Sequence, residues 1–188
     1  MQALGPPRLR PPLEGPFADL VRAITFQQLA GRAAAAIHAR LVARLPGGVT
    51  APGILGLPVE TLRASGLSAA KVAAIRDLAA RVMEGALRLE SLVCLPDEEV
   101  VASLVQVRGI GRWTAEMFLI FSLRRLDVWP VGDQGVRRGY ATIHGLAAPP
   151  RPGELLELGE QYRPYRTVAA WYCWRAVETL LPESRADG

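Results

Sequence analysis

The sequence predicts an all-α protein, and two observations support that prediction. Across its 188 residues, no long stretch alternates apolar and polar residues with the period of two that a half-buried strand shows. Apolar residues instead recur every three or four positions, between breaks rich in proline and glycine. We therefore expect roughly nine or ten helices, with boundaries good to a few residues.

The composition is that of one folded domain or a compact two-lobed one, since 50% of the residues are hydrophobic and 21% are charged. No apolar run approaches the ~20 residues of a membrane helix, and the N-terminus lacks the apolar segment of a secretion signal. We expect a cytoplasmic, nucleoid-associated protein with no membrane contact. The net charge of +4 suits a polyanionic partner, although it does not identify one.

The cysteines and histidines set limits on cofactors. Cys94 and Cys173 are too few and too distant for a disulfide framework or an iron–sulfur cluster. With only His38 and His144 in addition, a zinc site lacks ligands. We predict no zinc and no iron–sulfur cluster, and we expect both thiols to be buried.

The first 16 residues contain five prolines, which deny them a regular helix. We predict a proline-rich arm over residues 1–16 and a folded domain over residues 17–188. From Phe17 the apolar spacing predicts one helix, and the alanine-rich run from Arg32 to Leu45 predicts a second. The break between them contains Phe26-Gln27-Gln28-Leu29-Ala30. It is either an ordinary turn or an exposed loop that meets a partner, and the ordinary turn is favoured by this segment alone.

Prolines and glycines interrupt the chain after the second helix, and a short helix is predicted from Val59 to Ala64. Ser68 is well placed to cap the next helix, whose predicted core face contains Val72, Ile75, Leu78, Ala79 and Val82. Lys71 lies in the first turn of that helix, where a cation is unfavourable beside the helix dipole. A nearby phosphate would explain it, but solvation is the favoured explanation.

Pro96 followed by three acidic residues is typical of a helix start. That helix has Val100, Val101, Leu104 and Val105 on its apolar face. It leads into the segment Val107-Arg108-Gly109-Ile110-Gly111, after which another helix begins at Arg112. The glycines permit close backbone approach, Ile110 is expected in the core, and the amides of Gly109 and Gly111 remain available to an anion. A glycine cap between two core helices would give the same pattern.

The residues around those glycines make the motif more specific. The stretch Leu104-x-x-Val107-x-Gly109-Ile110-Gly111-Arg112-Trp113-Thr114-Ala115 closely resembles the helix-hairpin-helix of the HhH-GPD superfamily of DNA glycosylases. Within it, Gly109 to Ala115 resembles the bacterial 3-methyladenine DNA glycosylase II branch. The resemblance covers roughly residues 17–181. It implies two helical lobes flanking an active-site cleft, a hairpin at about residues 104–116, and the minimal helical core without the extra N-terminal α/β domain of longer members.

The resemblance also implies how duplex DNA is bound. The hairpin would bind a phosphate through Gly109, Ile110, Gly111, Arg112 and Thr114. Either Gln28 or Leu29 would fill the gap that a flipped base leaves in the duplex. Hairpins of this family often hold a monovalent cation by main-chain carbonyls, and the matching positions for Na⁺ or K⁺ are Val105, Val107 and Ile110. No cofactor is required.

The catalytic candidate is Asp133. Val131-Gly132-Asp133-Gln134-Gly135-Val136 predicts a turn followed by a helix, with Asp133 at or near the N-cap. Most aspartates at such positions only cap the helix, but this one matches the family's catalytic aspartate in its place after the hairpin. A carboxylate there stabilises the positive charge that develops on deoxyribose, and it can orient the attacking water.

The base pocket is also assigned by resemblance. Trp113 and Trp174 match aromatic pocket positions, and indole faces suit cationic alkylated purines. Met117 and Gln134 occupy places where tyrosines line the pocket in longer relatives, which predicts a wider and less aromatic pocket. We assign the remaining large aromatics to the core: Trp129, Trp171, Phe118 and Phe121.

Together these patterns predict a monofunctional DNA glycosylase. It would hydrolyse the N-glycosidic bond of alkylated, 3-methyladenine-type bases in duplex DNA, as a monomer acting in base excision repair. No lyase activity is expected, because Trp113 stands where bifunctional relatives have their lysine and Lys71 is the chain's one lysine. The alternatives are a glycosylase for another damaged base and a lesion-binding DNA protein without catalysis.

Overall fold

The computed structural model describes residues 15–29 and 31–180. Over these residues the protein is helical and contains no strand, as the sequence predicts. None of the helices in these ranges combines the length and the apolar character that crossing a membrane requires. The predicted proline-rich arm lies outside the described residues apart from its last two. Of these, Pro16 already opens the first helix, a position that suits proline because the first turn needs no amide there.

The chain divides into two compact units, with the boundary between Leu123 and Arg124. In the first unit the helices are α1 (Pro16–Phe26), α2 (Gly31–Val42), α3 (Ala51–Gly56), α4 (Val59–Ala64), α5 (Ala69–Met83), α6 (Asp97–Leu104) and α7 (Arg112–Phe121), with a 3₁₀ segment at Leu89–Cys94. In the second they are α8 (Gln134–His144), α9 (Pro152–Leu158) and α10 (Arg166–Leu180), with a 3₁₀ turn at Glu160–Tyr162.

The core of the first unit is built around α1, which packs against α2, α5 and α7. Its inward residues, Leu20 and Ile24, are fully buried. The other helices of the unit supply further buried aliphatic side chains: Leu41, Ile54, Leu62, Ile75, Leu78, Leu104 and Ile120. Because α1 packs against α7, the helix that follows the hairpin, the loop after α1 is held close to that hairpin.

The second unit is organised by the crossing of α8 and α10. Gly139 of α8 lies so close to α10 that a Cβ there would be 2.0 Å from the carbonyl oxygen of Cys173. Trp129 closes the other side of the core and donates its indole N–H to the carbonyl of Leu155 at 2.7 Å. Only glycine at position 139 permits this distance between the two helix backbones.

Several predicted elements are confirmed. Helix α4 spans Val59–Ala64, as predicted, and α6 begins directly after Pro96. Ser68 caps α5 by accepting a hydrogen bond from the Lys71 amide at 3.2 Å. Four of the five predicted core residues of α5 are buried, and Val82 is half-buried.

Helix α3 was not predicted, because its sequence contains a proline and two glycines. It forms because Thr50 accepts a hydrogen bond from the Gly53 amide and so caps the helix, while Pro52 falls in the first turn. The proline and the first glycine therefore sit where a helix tolerates them.

Three predicted core residues are exposed instead. Cys94 is exposed at the end of the 3₁₀ segment, although Cys173 is buried as expected. Phe121 is the last residue of α7 and is 37% exposed, and Val105 lies just beyond the end of α6 and is 38% exposed. Each stands at the end of an element, where the helical repeat no longer directs the side chain inward. Trp129 and Phe118 are buried as predicted, and Trp171 is half-buried.

Candidate functional site

The hairpin between α6 and α7 is a tight turn held by its own backbone. The Val107 amide donates to Leu104 at 3.0 Å, and the Ile110 amide donates to Val107 at 3.1 Å. Gly109 has a φ of 77°, and a Cβ there would come within 3.1 Å of Ala74 on α5. Gly111 needs no left-handed torsion, and nothing lies within 4 Å of its missing Cβ. The turn therefore requires a glycine at position 109, whereas position 111 opens onto free space.

The backbone around Gly111 offers free hydrogen-bond donors. Among the described residues, the amides of Gly109 and Gly111 have no hydrogen-bond acceptor. Gly111 is the N-cap of α7 and has no side chain to cap the helix, so the first turn keeps unsatisfied N–H groups and the positive end of the dipole. This arrangement can bind an anion such as a phosphate.

Two residues predicted to bind DNA contribute differently. The side chain of Ile110 is 4% exposed and its amide is used within the turn, so neither can reach a phosphate. Thr114 is 3% exposed, and its hydroxyl accepts a hydrogen bond from Gln27 at 3.0 Å. Both side chains are buried and so help to hold the hairpin in place.

Arg112 joins the two helices of the hairpin. Its guanidinium donates to Glu116 at 3.0 Å and to Glu98 of α6 at 3.0 Å. The hydrogen bond with Glu98 is the main cause that raises the pKa of Arg112, and it lowers the pKa of Glu98. A DNA phosphate bound by Arg112 would compete with these two carboxylates for its guanidinium group.

The break between α1 and α2 is hydrogen-bonded to the hairpin. The sequence alone did not predict this contact. The Gln27 side chain donates to the Gly109 carbonyl at 3.0 Å and to the Thr114 hydroxyl at 3.0 Å. The ammonium group of Lys71 donates to the carbonyls of Thr25 at 2.7 Å and Gln27 at 2.8 Å. Lys71 is half-buried, and its ammonium group caps the end of α1 through these two carbonyls. This partial burial lowers its pKa.

Asp133 is the N-cap of α8, as predicted, and is 8% exposed. Its Oδ1 atom accepts the Val136 amide at 2.7 Å and the indole N–H of Trp174 at 2.9 Å. One oxygen of the carboxylate thus receives two N–H groups beside the positive end of α8. These contacts fix the orientation of the carboxylate.

The comparisons with known proteins agree with this geometry. A sequence model of the HhH-GPD superfamily base excision DNA repair protein matches residues 21–164, a range that contains both the hairpin and Asp133. This chain belongs to that superfamily.

Solved and curated relatives of this HhH-GPD protein match most of its length. DNA-3-methyladenine glycosylase 1 of Schizosaccharomyces pombe is 39% identical over 163 residues, which cover 85% of this chain and 72% of the relative. The structure of the 3-methyladenine DNA glycosylase of that yeast with abasic DNA matches with a TM-score of 0.81 and 37% identity, over 92% of this chain and 87% of that one. The crystal structure of a DNA-3-methyladenine glycosidase from Bacillus halodurans matches with a TM-score of 0.84 and 37% identity, over 95% of this chain and 82% of that one.

The predicted pocket residues of the HhH-GPD protein fall into one group in each unit. In the first, Trp113 is 45% exposed on α7, and Met117 follows four residues later and is half-buried. In the second, Trp174 is half-buried against Asp133, and Gln134 is exposed at the start of α8. Residues four apart on a helix share a face, so Trp113 and Met117 form one surface.

The sequence analysis of the HhH-GPD protein did not identify two glycines of α8, Gly135 and Gly139, which help to position the site. A Cβ on Gly135 would lie 2.8 Å from the Trp174 ring, and one on Gly139 would overlap α10. These glycines let α10 approach α8 closely enough for Trp174 to reach Asp133. The available signal was their spacing of four on one predicted helix, which is typical of close helix packing.

Asp77 of α5 holds the backbone of the hairpin by a hydrogen bond. Its Oδ2 accepts the Arg108 amide at 2.8 Å and the Arg81 side chain at 3.0 Å. The bond from the Arg108 amide is the main cause that holds the pKa of Asp77 below its ordinary value of 3.8. An aspartate whose pKa is lowered by folding stabilises the protein above its unfolded pKa, and it loses that effect as the pH falls through the folded pKa.

We therefore expect Asp77→Ala to lower the urea midpoint of unfolding at pH 6 to 7 and to matter less below about pH 4. Urea titrations of both proteins across this range measure the gap between their midpoints. A gap that stays constant down to pH 3 would contradict the role of the charged carboxylate.

Proposed function

We propose that this chain is a monofunctional DNA glycosylase of the 3-methyladenine type II kind, which removes alkylated bases from duplex DNA of the nucleoid in base excision repair. The observation that carries the proposal is the Asp133 carboxylate, held by the Val136 amide and the Trp174 indole on the chain that also carries the hairpin. Relatives named 3-methyladenine DNA glycosylases support the substrate class.

In the proposed reaction, the bond between C1′ of the sugar and the base nitrogen breaks, and the base leaves with the electron pair. A water oxygen bonds to C1′ and gives its proton to the Asp133 carboxylate, which passes it to the solvent. Positive charge on the deoxyribose is stabilised by Asp133, whose carboxylate is preorganised by its two donors in a largely buried position. Alkylated purines are already cationic, so their departure requires little help from a general acid.

The damaged base must leave the stack before it can react. We propose Trp113 and Trp174 as the aromatic walls that receive it, with Met117 and Gln134 leaving the pocket less aromatic. For the residue that fills the gap in the duplex we favour Gln28, because it has a φ of 55° at the exposed tip of its turn. Residues without glycine's freedom adopt that conformation at a cost, and such strain concentrates at functional sites. Leu29, 41% exposed, is its neighbour.

The absence of lyase activity is part of the proposal. Strand cleavage through a Schiff base needs a free amine that attacks C1′. The amine of Lys71 is engaged by two main-chain carbonyls at the end of α1. We therefore expect the product to be an intact strand with an abasic site.

The carbonyl groups of the hairpin fit a monovalent cation. Among the described residues, those of Val105 and Ile110 accept no hydrogen bond, while that of Val107 accepts the Ile110 amide. Carbonyl oxygens without donors suit Na⁺ or K⁺, and we propose that these three residues would hold one. Such an ion would add positive charge where a phosphate is bound.

Base release decides the proposal. The protein should liberate 3-methyladenine-type bases from alkylated duplex DNA, and the strand should break only after heat or alkali. Chromatography of the released bases and gel analysis of the strand measure the two events. Release of a different base from a lesion panel would change the substrate class, and binding of damaged duplex without any release would favour the non-catalytic alternative. Direct strand scission, or a covalent adduct trapped by borohydride, would refute the monofunctional assignment.

A further inference from the structure

The turn after α1 has an unfavourable backbone conformation for its sequence. Gln27 has φ −52° and ψ 132°, and Gln28 follows with a φ of 55°. These three angles match a type II turn, which favours glycine or asparagine where Gln28 stands. Since glutamine does not prefer this conformation, contacts elsewhere must select it.

Lys71 makes the contact that selects it. Its ammonium group donates to the Gln27 carbonyl, which belongs to the central peptide of the turn, at 2.8 Å. In the alternative type I turn this peptide is flipped, and its carbonyl points the other way. The bond from Lys71 therefore favours the orientation in which Gln28 is left-handed. The second bond, to the Thr25 carbonyl at 2.7 Å, fixes the ammonium group itself.

The same turn is linked to the hairpin. The Gln27 side chain bridges to Gly109 and Thr114, residues that are 82 and 87 positions further along the chain. Helix α5 supports both ends of this link, because Lys71 holds the Gln27 carbonyl at the turn and Asp77 accepts the Arg108 amide at the hairpin. Lys71, Ala74 and Asp77 follow one another at intervals of three and so lie on one side of α5.

We infer that Lys71 is a positioning residue, which locks the Gln27–Gln28 turn to the hairpin so that both loops meet the duplex in one fixed arrangement. This inference rests on the proposed function, because it assigns Gln28 to the gap in the duplex. It predicts that substitution of Lys71 slows base release from duplex DNA far more than from single-stranded DNA, which has no gap to fill.

The test compares Lys71→Met with Arg76→Met. Methionine keeps the length of the side chain and removes the donors. Arg76 is the matched control, since it lies on the same helix and donates to the carbonyl of Leu57, away from the turn, at 3.2 Å. We expect Lys71→Met to slow base release from alkylated duplex roughly tenfold, because the loop is misplaced, with a much smaller effect on single strands. Arg76→Met should leave the duplex-to-single-strand ratio unchanged.

A second measurement needs no catalysis. In the free protein, hydrogen exchange at the hydrogen-bonded amides of Gln27, Arg108 and Ile110 should be faster in Lys71→Met than in the wild type and in Arg76→Met. The inference is overturned if exchange there is the same in both variants, whether or not the wild type releases bases. If the wild type releases nothing but this exchange difference is found, the proposed function fails and the lock stands.

Gln27→Leu tests the same link should Lys71→Met fail to fold. Leucine fills a similar volume and removes both bonds to the hairpin. We expect the same selective loss of base release from duplex DNA, and faster exchange at the hydrogen-bonded amide of Ile110. If Gln27→Leu changes neither the duplex-to-single-strand ratio of base release nor the hydrogen exchange of the hairpin, the inference is also overturned.

Discussion

Asp133→Asn is expected to slow base release by about 100-fold or more while leaving the fold intact, because a charge aimed at the developing cation is lost. Asparagine is as good an N-cap as aspartate, and its carbonyl oxygen can accept the same two hydrogen bonds. Both bonds reach one oxygen, Oδ1, from Val136 and Trp174. The substitution therefore removes the negative charge and little else.

Single-turnover base release from alkylated duplex measures this effect, and thermal unfolding checks the fold. Glu157→Gln is the matched control, since it removes the same charge from an exposed residue of the second unit. Asp133→Ala should differ from Asp133→Asn by losing the cap as well, which costs about 1 kcal/mol of stability. Equal rates for wild type and Asp133→Asn would sink the catalytic assignment.

Gly111→Asp is expected to weaken duplex binding by roughly tenfold to 100-fold, the loss of a hydrogen bond to a charged group. The added carboxylate would repel a phosphate and occupy the space where it binds. The fold should not suffer, because nothing lies within 4 Å of the missing Cβ and the φ is −95°. Aspartate caps helices better than glycine, so α7 should become slightly more stable as DNA binding falls.

The prediction is specific because the affinity for DNA should fall while the stability of the protein rises. Fluorescence anisotropy with duplex DNA at fixed salt measures affinity, and thermal unfolding measures stability. Gly153→Asp is the control, since it adds the same charge in the first turn of α9, also in open space. Gly111→Asn separates bulk from charge and should lose less affinity. If Gly111→Asp binds duplex as tightly as the wild type, the phosphate is bound elsewhere.

Local patterns explain which predictions from the sequence succeeded. Ser68, Asp133 and the acidic start of α6 were assigned from capping rules, which depend on a few neighbouring residues. The hairpin was found because its glycines and flanking residues form one contiguous motif. Errors came at element ends, where Val105, Phe121 and Cys94 turn outward, and at α3, whose threonine cap outweighs its proline and glycines.

The sequence by itself determined the all-helical fold, the hairpin with its open amides, and the aspartate that caps α8. Only the tertiary structure decided what those elements touch. Trp174 reaches Asp133 across 41 residues of sequence, and Lys71 reaches Gln27 across 44. Both contacts depend on how closely two helices pack, as at Gly139. Periodicity shows which face of a helix is buried, but the partner of that face is set by the crossing of helices far apart in the chain.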